Sequence, residues 1–251
     1  LKLIKKISPD LISLHSSKVG IIVRTLRIIF KLPPCIFTAH GWSFSSKVSK
    51  FRSNIFLFLE KFMMYGTSTL ITICKSDYDL AIKNSFSHKK KIKLIHNGMP
   101  FLKSPKRSIK PTHHKFKLIS VARFEFQKDH ETLIEALSYL KSLSWELFLV
   151  GEGPLKNNIK ILVKQFEMDH RVNFLGRRKD VANLLNQCDI FILSSLWEGF
   201  PRSILEALRA SIPVITSRVG GVAESVIDKH NGYIVPVKDS KSLAFAIEKL
   251  L

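Results

Sequence analysis

The stretch DIFILSSLWEGFPRSILEALRASIPVITS (Asp189–Ser217) decides how this chain is built. Asp189–Ser194 is a near-continuous apolar run, the pattern of a strand buried on both faces. Pro213–Ser217 is a second run of the same kind. Between them a loop leads into an amphipathic helix over Arg202–Ala210. Two apolar strands separated by a helix pair in parallel. The segment therefore predicts a strand–helix–strand unit, and Glu198 and Glu206 mark the loop and helix that join its strands.

Working outward, the same alternation fills the chain. Upstream, Leu11–His15, Cys35–His40, Leu70–Cys74 and Ile92–His96 read as strands, with helices over Lys18–Lys31, Ser46–Tyr65 and Asp77–Phe86. PFLKSPKRSIKPTHHK (Pro100–Lys115) is polar, basic and broken by prolines, so it reads as a linker. Beyond it strands are expected at Lys117–Val121, Leu147–Gly151, Val172–Leu175 and Gly232–Val235. Further helices are expected at His130–Ser142, Leu155–Phe166, Asp180–Asn186, Val222–Ile227 and Ser240–Leu250. The prediction is α/β, two Rossmann-like, doubly wound parallel-sheet domains over residues 1–110 and 111–251. In such sheets ligands bind beyond the carboxyl ends of the strands, so a cleft faced by both domains is the expected site.

Composition sets the class. Of 251 residues, 45 % are hydrophobic and 24 % charged, enough to bury a core. No apolar run approaches the roughly 18 residues of a membrane-spanning helix. Leu1–Ile7 has neither the length nor the cleavage pattern of a signal peptide, and the chain reads as a piece of a longer protein. Cys35, Cys74 and Cys188 show no zinc or disulfide spacing and read as buried thiols in a reducing, cytoplasmic setting. The net charge of +20 is uneven. Residues 1–110 hold 21 Lys and Arg against 4 Asp and Glu, a balance of +17, while residues 111–251 hold 19 against 16, a balance of +3. The first half is expected to face something anionic.

The loop after Asp189–Ser194 has the makings of an anion site. Pro201 suits the first helical turn, and the free N–H groups of Arg202, Ser203 and Ile204 point the helix dipole at a ligand. Gly199 allows close backbone approach. Two carboxylates beside such a site suit sugar and ribose hydroxyls, although either Glu taken alone reads more simply as a capping or solvated acid. VARFEFQKDHETLIEAL (Val121–Leu137) sets Arg123 and Lys128 after another strand. There they can neutralise a diphosphate, or simply be surface charges. LVGEGP (Leu149–Pro154) is a tight turn without a full dinucleotide fingerprint.

Together VARFEFQKDHETLIEAL, LVGEGP, VNFLGRRKDVANLL and EGFPRSILEALRASIPVITSRVGGVAE resemble the family 4 glycosyltransferases, whose two-domain fold is called GT-B. Glu198 and Glu206 are similar to that family's Glu-x7-Glu motif. LISLHSSKVGIIVRTL, CIFTAHGWSF, ITICKSDYDLA and IHNGM look like its acceptor-domain segments, so the resemblance spans nearly the whole chain. It implies transfer of a sugar from a nucleoside-diphosphate donor, UDP-linked in the first instance, with retention of configuration. It implies no metal motif and no cofactor. By the same resemblance Arg123 and Lys128 hold the donor diphosphate, Glu206 the ribose and Glu198 the donor sugar. Gly199, Phe200, Ser203 and Ile204 contact sugar and phosphate, Gly176 and Arg177 the base. His40 is the acceptor-side histidine near the reacting centre, and Asn97 with Gly98 lines the hinge side, whereas His15 reads as structural. The catalytic set is Glu198, His40, Arg123 and Lys128.

The family's opening strand with its glycine-rich loop and its closing helices are missing, so the first domain is expected to be incomplete; donor binding by this chain does not then imply turnover, and its own activity is left open. Ser211 stands where the family favours Gly, Ser217-Arg218 where small or acidic residues are commoner, and Arg202 where a smaller residue is usual. The acceptor is expected to be a glycan or a lipid-linked glycan in polysaccharide biosynthesis. The basic Ser46–Gly66 helix suits an anionic membrane surface, with peripheral localisation, or else packs into the core with its charges in solvent. No nucleic-acid partner is expected. The alternatives are a nucleotide-sugar 2-epimerase of the same architecture and a non-catalytic nucleotide- or glycan-binding fragment.

Overall fold

The computed structural model describes residues 1–42, 44, 49–86, 89–100 and 115–251, and among these every named strand pairs in parallel. The chain divides into two compact units, Leu1–Asn97 and Gly98–Leu251. Most of the expected linker, residues 101–114, lies outside the described residues.

In the first unit β1 (Ile12–Leu14), β2 (Cys35–Ala39), β3 (Thr69–Thr72) and β4 (Ile92–Leu94) lie side by side in chain order. The connections are α2 (Ser17–Ile29), α3 (Lys50–Met63) and α4 (Lys75–Lys83). Right-handed crossovers in an unbroken order put these helices on one sheet face. One core results, built on Leu14, Cys35, Phe37, Leu70 and Ile92. Behind it Arg24 of α2, wholly buried, bonds Glu60 of α3 at 2.9 Å. The Arg24 guanidinium also lies 3.9 Å from the Phe37 ring centroid, so one side chain ties two helices to the sheet.

Three expectations for this unit change. Nothing in the sequence reading places a helix at α1 (Lys2–Ile7), which is six residues long and buries none of them, although Leu3, Ile4 and Ile7 share one side. The helix expected over Ser46–Tyr65 is α3 followed by one 3₁₀ turn, Met64–Gly66, while residues 45–48 lie outside the described residues. Each strand is also shorter than its apolar run, because pairing ends before hydrophobicity does.

The second unit holds a sheet in the order β10-β9-β8-β5-β6-β7. Its strands are β5 (Phe116–Val121), β6 (Trp145–Val150), β7 (Val172–Gly176), β8 (Ile190–Leu193), β9 (Val214–Ser217) and β10 (Gly232–Val235). Helices α5 (His130–Ser138), α6 (Lys156–Gln165), α7 (Val181–Gln187), α8 (Arg202–Arg209) and α9 (Ser240–Glu248) cover it. Alternation along the strands feeds two cores. Ile190 and Ile192 of β8 join Leu133, Ile159 and Leu243 in one core. Phe191 and Leu193 join Leu185, Ile204 and Ala207 in the other. All four β8 residues are 1 % exposed or less, and burying each such side chain is worth about 1.5–3 kcal/mol.

The helix expected at Val222–Ile227 is a single 3₁₀ turn, Val222–Glu224. Asn231 stops it: its Oδ1 accepts from Ile227 N at 2.8 Å, and its Nδ2 donates to Ser225 O at 3.0 Å. The helix expected to reach Ser142 ends at Ser138, in a run of turns closed by Leu140 N donating to Leu137 O. Chain order reverses once in this sheet. The chain moves outward through β6 and β7, then returns to place β8 on the other side of β5. The carboxyl ends of β5 and β8 consequently flank the crevice where doubly wound sheets bind ligands.

Candidate functional site

Two loops leave that crevice. The loop after β5 carries Arg123 and a 3₁₀ turn, Phe126–Lys128, before α5. The loop after β8 carries Ser195, Trp197 and Glu198 before α8. They are stitched together by main chain and side chain: Leu196 N donates to Gln127 O at 2.8 Å, and Gln127 Nε2 donates to Trp197 O at 2.7 Å. Ser194 Oγ, buried, donates to Asp129 O at 2.8 Å. Asp129 has a left-handed backbone, φ 46°, a conformation that Asp tolerates better than most residues.

This stitching brings Lys128 and Glu198 together. Lys128 Nζ bonds Glu198 Oε1 at 2.5 Å, with the side chains only 15 % and 8 % exposed. Ser195 Oγ donates to the same oxygen at 2.6 Å. Glu198 Oε2 has no such bond among the described residues. His130, next along the chain, is 4 % exposed and stacks on Phe124 with ring centroids 4.5 Å apart. Burial, with the positive charge of Lys128, pushes its pKa down from 6.5 to about 4, so its imidazole is neutral at neutral pH.

A third loop presses on Glu198 from β9. Gly220 has φ 48°, and a Cβ there would sit 1.9 Å from Glu198 O. Gly221 N donates to Gly199 O at 2.8 Å. Only glycine permits that approach, so the Glu198-Gly199 backbone is held from below. In LVGEGP the glycines serve packing instead: a Cβ on Gly151 would lie 2.0 Å from Ala122 O, and one on Gly153 2.5 Å from Phe124 O.

Pro201 is the residue before α8, not its first; Arg202 opens the helix. No side chain caps this end and no acid lies in its first turn, which leaves the first-turn amides of Arg202, Ser203 and Ile204 for a ligand. Ile204 itself is fully buried and Phe200 nearly so, so any contact they make is through backbone. Glu206, the fifth helical residue, is partly exposed, and its carboxylate has no hydrogen bond or ion pair among the described residues. Arg123 is mostly exposed and paired with Glu125 at 2.8 Å. Gly176 ends β7 with φ 66°, its oxygen accepting from Gly151 N at 2.9 Å, and Arg177 beyond it is exposed.

In the first unit His40 follows β2 and His15 follows β1. Their rings meet, with His15 Nδ1 and His40 Nε2 3.1 Å apart and Ser13 Oγ 3.1 Å from His15 Nε2. Asn97 closes the first unit and Gly98 opens the second. Reading from sequence missed Ser195, Gln127, Gly220 and the partnership of His15 with His40. The first two had a signal, each lying within three residues of an acid or cation already singled out. Among the described residues no group of three or more His, Cys, Asp or Glu is placed to hold a metal ion.

Comparison with known proteins follows the same division. A family described as "Glycosyl transferases group 1" matches residues 103–251, and "Glycosyltransferase Family 4" matches residues 1–100. The UDP-Gal:alpha-D-GlcNAc-diphosphoundecaprenol alpha-1,3-galactosyltransferase of Escherichia coli is 30 % identical over 264 residues, covering 99 % of this chain and 68 % of its own length. The O-antigen biosynthesis glycosyltransferase WbnH, also of Escherichia coli, is 31 % identical over 93 % of this chain and 65 % of its own length. This chain thus spans about two thirds of those relatives. Anabaena HepE, crystallised with UDP and glucose, has the same fold with a TM-score of 0.83 at 23 % identity, over 99 % of this chain and 70 % of HepE.

Proposed function

Since this chain belongs to the group 1 glycosyl transferases, we propose that it moves a sugar from a nucleoside-diphosphate donor to a glycan or lipid-linked acceptor. The observation that carries the reading is the Lys128–Glu198 pair at the β5/β8 crevice, beside the uncapped start of α8. The Escherichia coli relative, whose name specifies a UDP-galactose donor and a diphosphoundecaprenol-linked acceptor, supports a UDP donor and a lipid-linked acceptor here.

The roles follow from charge. The donor diphosphate takes the α8 amides, with Lys128 and Arg123 as its cations; these offset the charge that grows as the diphosphate leaves. Glu198 holds the donor sugar through Oε2 while Oε1 keeps Lys128 and Ser195. Glu206 takes the ribose hydroxyls, and the Gly176-Arg177 backbone takes the base. In the transfer the acceptor oxygen bonds to the anomeric carbon as the bond from that carbon to phosphate breaks. The electron pair goes to the diphosphate, which also receives the hydroxyl proton. Attack on the face the diphosphate leaves retains the configuration. His40 is the first-unit residue assigned to turnover. With the cations already in the chain, the transfer is metal-independent, and a chelator leaves it unchanged.

The test is thermal unfolding with UDP, GDP, ADP and CMP, repeated in Glu206→Ala. One nucleotide at about 100 times its dissociation constant is expected to add about 2.7 kcal/mol, and the variant to lose it. A well-folded chain that none of the four stabilises overturns the donor reading.

A further inference from the structure

One surface of the first unit is left unused by this chemistry. Along α3 and the turn after it, Phe51, Ile55, Phe58, Phe62 and Tyr65 follow each other at spacings of four, three, four and three. That spacing keeps them on one line of a helix turning about 100° per residue. All five are exposed, by 75 %, 41 %, 69 %, 45 % and 78 % respectively. Single exposed apolar residues are ordinary, but a continuous stripe of four aromatics and an isoleucine is not. At its end lies a groove of about 850 Å³ lined by Phe58, Phe62, Met64, Tyr65, Phe86 and Lys91.

The charges beside the stripe are all of one sign. Lys50 and Lys61 flank one side and Arg52 the other, all exposed and none in an ion pair among the described residues. The acid of α3, Glu60, is turned inward, buried and bonded to Arg24. Residues 1–97 carry 17 Lys and Arg against 4 acids, of which Glu60 and Asp77 are buried. An aromatic line edged by cations, with no exposed acid on the helix, matches an anionic bilayer. The rings enter the headgroup boundary and the Lys and Arg stems carry their charges back to phosphate. A second copy of the same cationic face would be repelled.

We propose that the α3 stripe docks this chain on an anionic lipid surface, the helix lying flat with Phe51, Phe58, Phe62 and Tyr65 inserted. The proposal goes beyond the donor chemistry and does not depend on it.

The experiment is co-sedimentation of the chain with vesicles of phosphatidylcholine alone or with about 30 mol % phosphatidylglycerol. Binding to the anionic vesicles is expected to be at least about tenfold tighter and to weaken with salt. Phe58→Ser with Phe62→Ser is expected to lower it at least about tenfold, and Lys50→Gln with Arg52→Gln and Lys61→Gln to erase the anionic preference. Phe58→Trp, which retains the stripe, should be quenched by brominated acyl chains. Nucleotide-induced stabilisation should persist in every variant, which separates this proposal from the donor reading. The proposal is overturned by a folded chain that binds neither vesicle or both alike. It is equally overturned by unaltered binding in the serine variant, by a dimer that this variant turns into monomer, or by release onto single-stranded nucleic acid.

Discussion

Glu198→Gln asks the most of the site. Glutamine keeps the shape and can still accept from Ser195, but it removes the charge that Lys128 faces at 2.5 Å. Stranding a buried charge costs about 3–5 kcal/mol. Lys128 keeps 15 % of its side chain exposed and can turn its amine outward, so the low end, about 3 kcal/mol, applies. For a unit of this size that is a fall of about 6–12 °C in the unfolding midpoint. Adding Lys128→Met removes the stranded amine, and the double variant should return to within about 1 kcal/mol of the parent. Activity must not follow stability. If the full-length protein turns over a sugar nucleotide as proposed, both variants should lose at least about 10²-fold, since each would lack a group assigned to the transition state. The assay is thermal unfolding by circular dichroism beside release of nucleoside diphosphate. A double variant no more stable than Glu198→Gln would refute the claim that the pair is a coupled, buried unit.

Three further outcomes are expected. Ser211 follows α8 at φ 57°, with Ser211 N donating to Leu208 O and Ile212 N to Ala207 O, a helix end that favours glycine, so Ser211→Gly should add about 0.5–1 kcal/mol by denaturant unfolding. His130 is neutral in the folded chain and, below pH 6.5, charged in the unfolded one. The unfolded state therefore binds more protons between about pH 6.5 and 4, and stability should fall by about 3 kcal/mol as pH drops through that window, a slope that His130→Gln flattens. Gly220→Ala should cost about 2–4 kcal/mol, from the positive φ and the overlap with Glu198 O, and should weaken nucleotide binding measured by calorimetry.

The strands were legible because a buried parallel strand has to be apolar on both faces, and Ile190–Leu193 is. Helix ends were less so. Nothing near Val222 announces that Asn231 will bond back across the loop and stop the turn. The helix at Lys2–Ile7 had no buried face to betray it. In the site, residue types were readable one loop at a time, but partnerships were not. Lys128 and Glu198 are 70 residues apart, and only the reversal of strand order brings them together. His15 and His40 meet for a similar reason, at the ends of adjacent strands. The structure also explains a departure the sequence could only note: glycine is favoured at position 211 because the helix ends there in a left-handed residue.

That reversal has a consequence for how the unit comes into being. As the chain is made, β5, β6 and β7 are available to pair before β8 exists, and loop closure grows costlier with the length spanned. Until Ile190–Leu193 slots in beside β5, Lys128 lacks its counter-charge and Gly220 has no backbone to rest on. The β5/β8 crevice is therefore a late product of folding. An intermediate lacking β8 would contain half the sheet and lack the Lys128–Glu198 pair, and under the proposed function nucleotide binding should report that the final strands have docked.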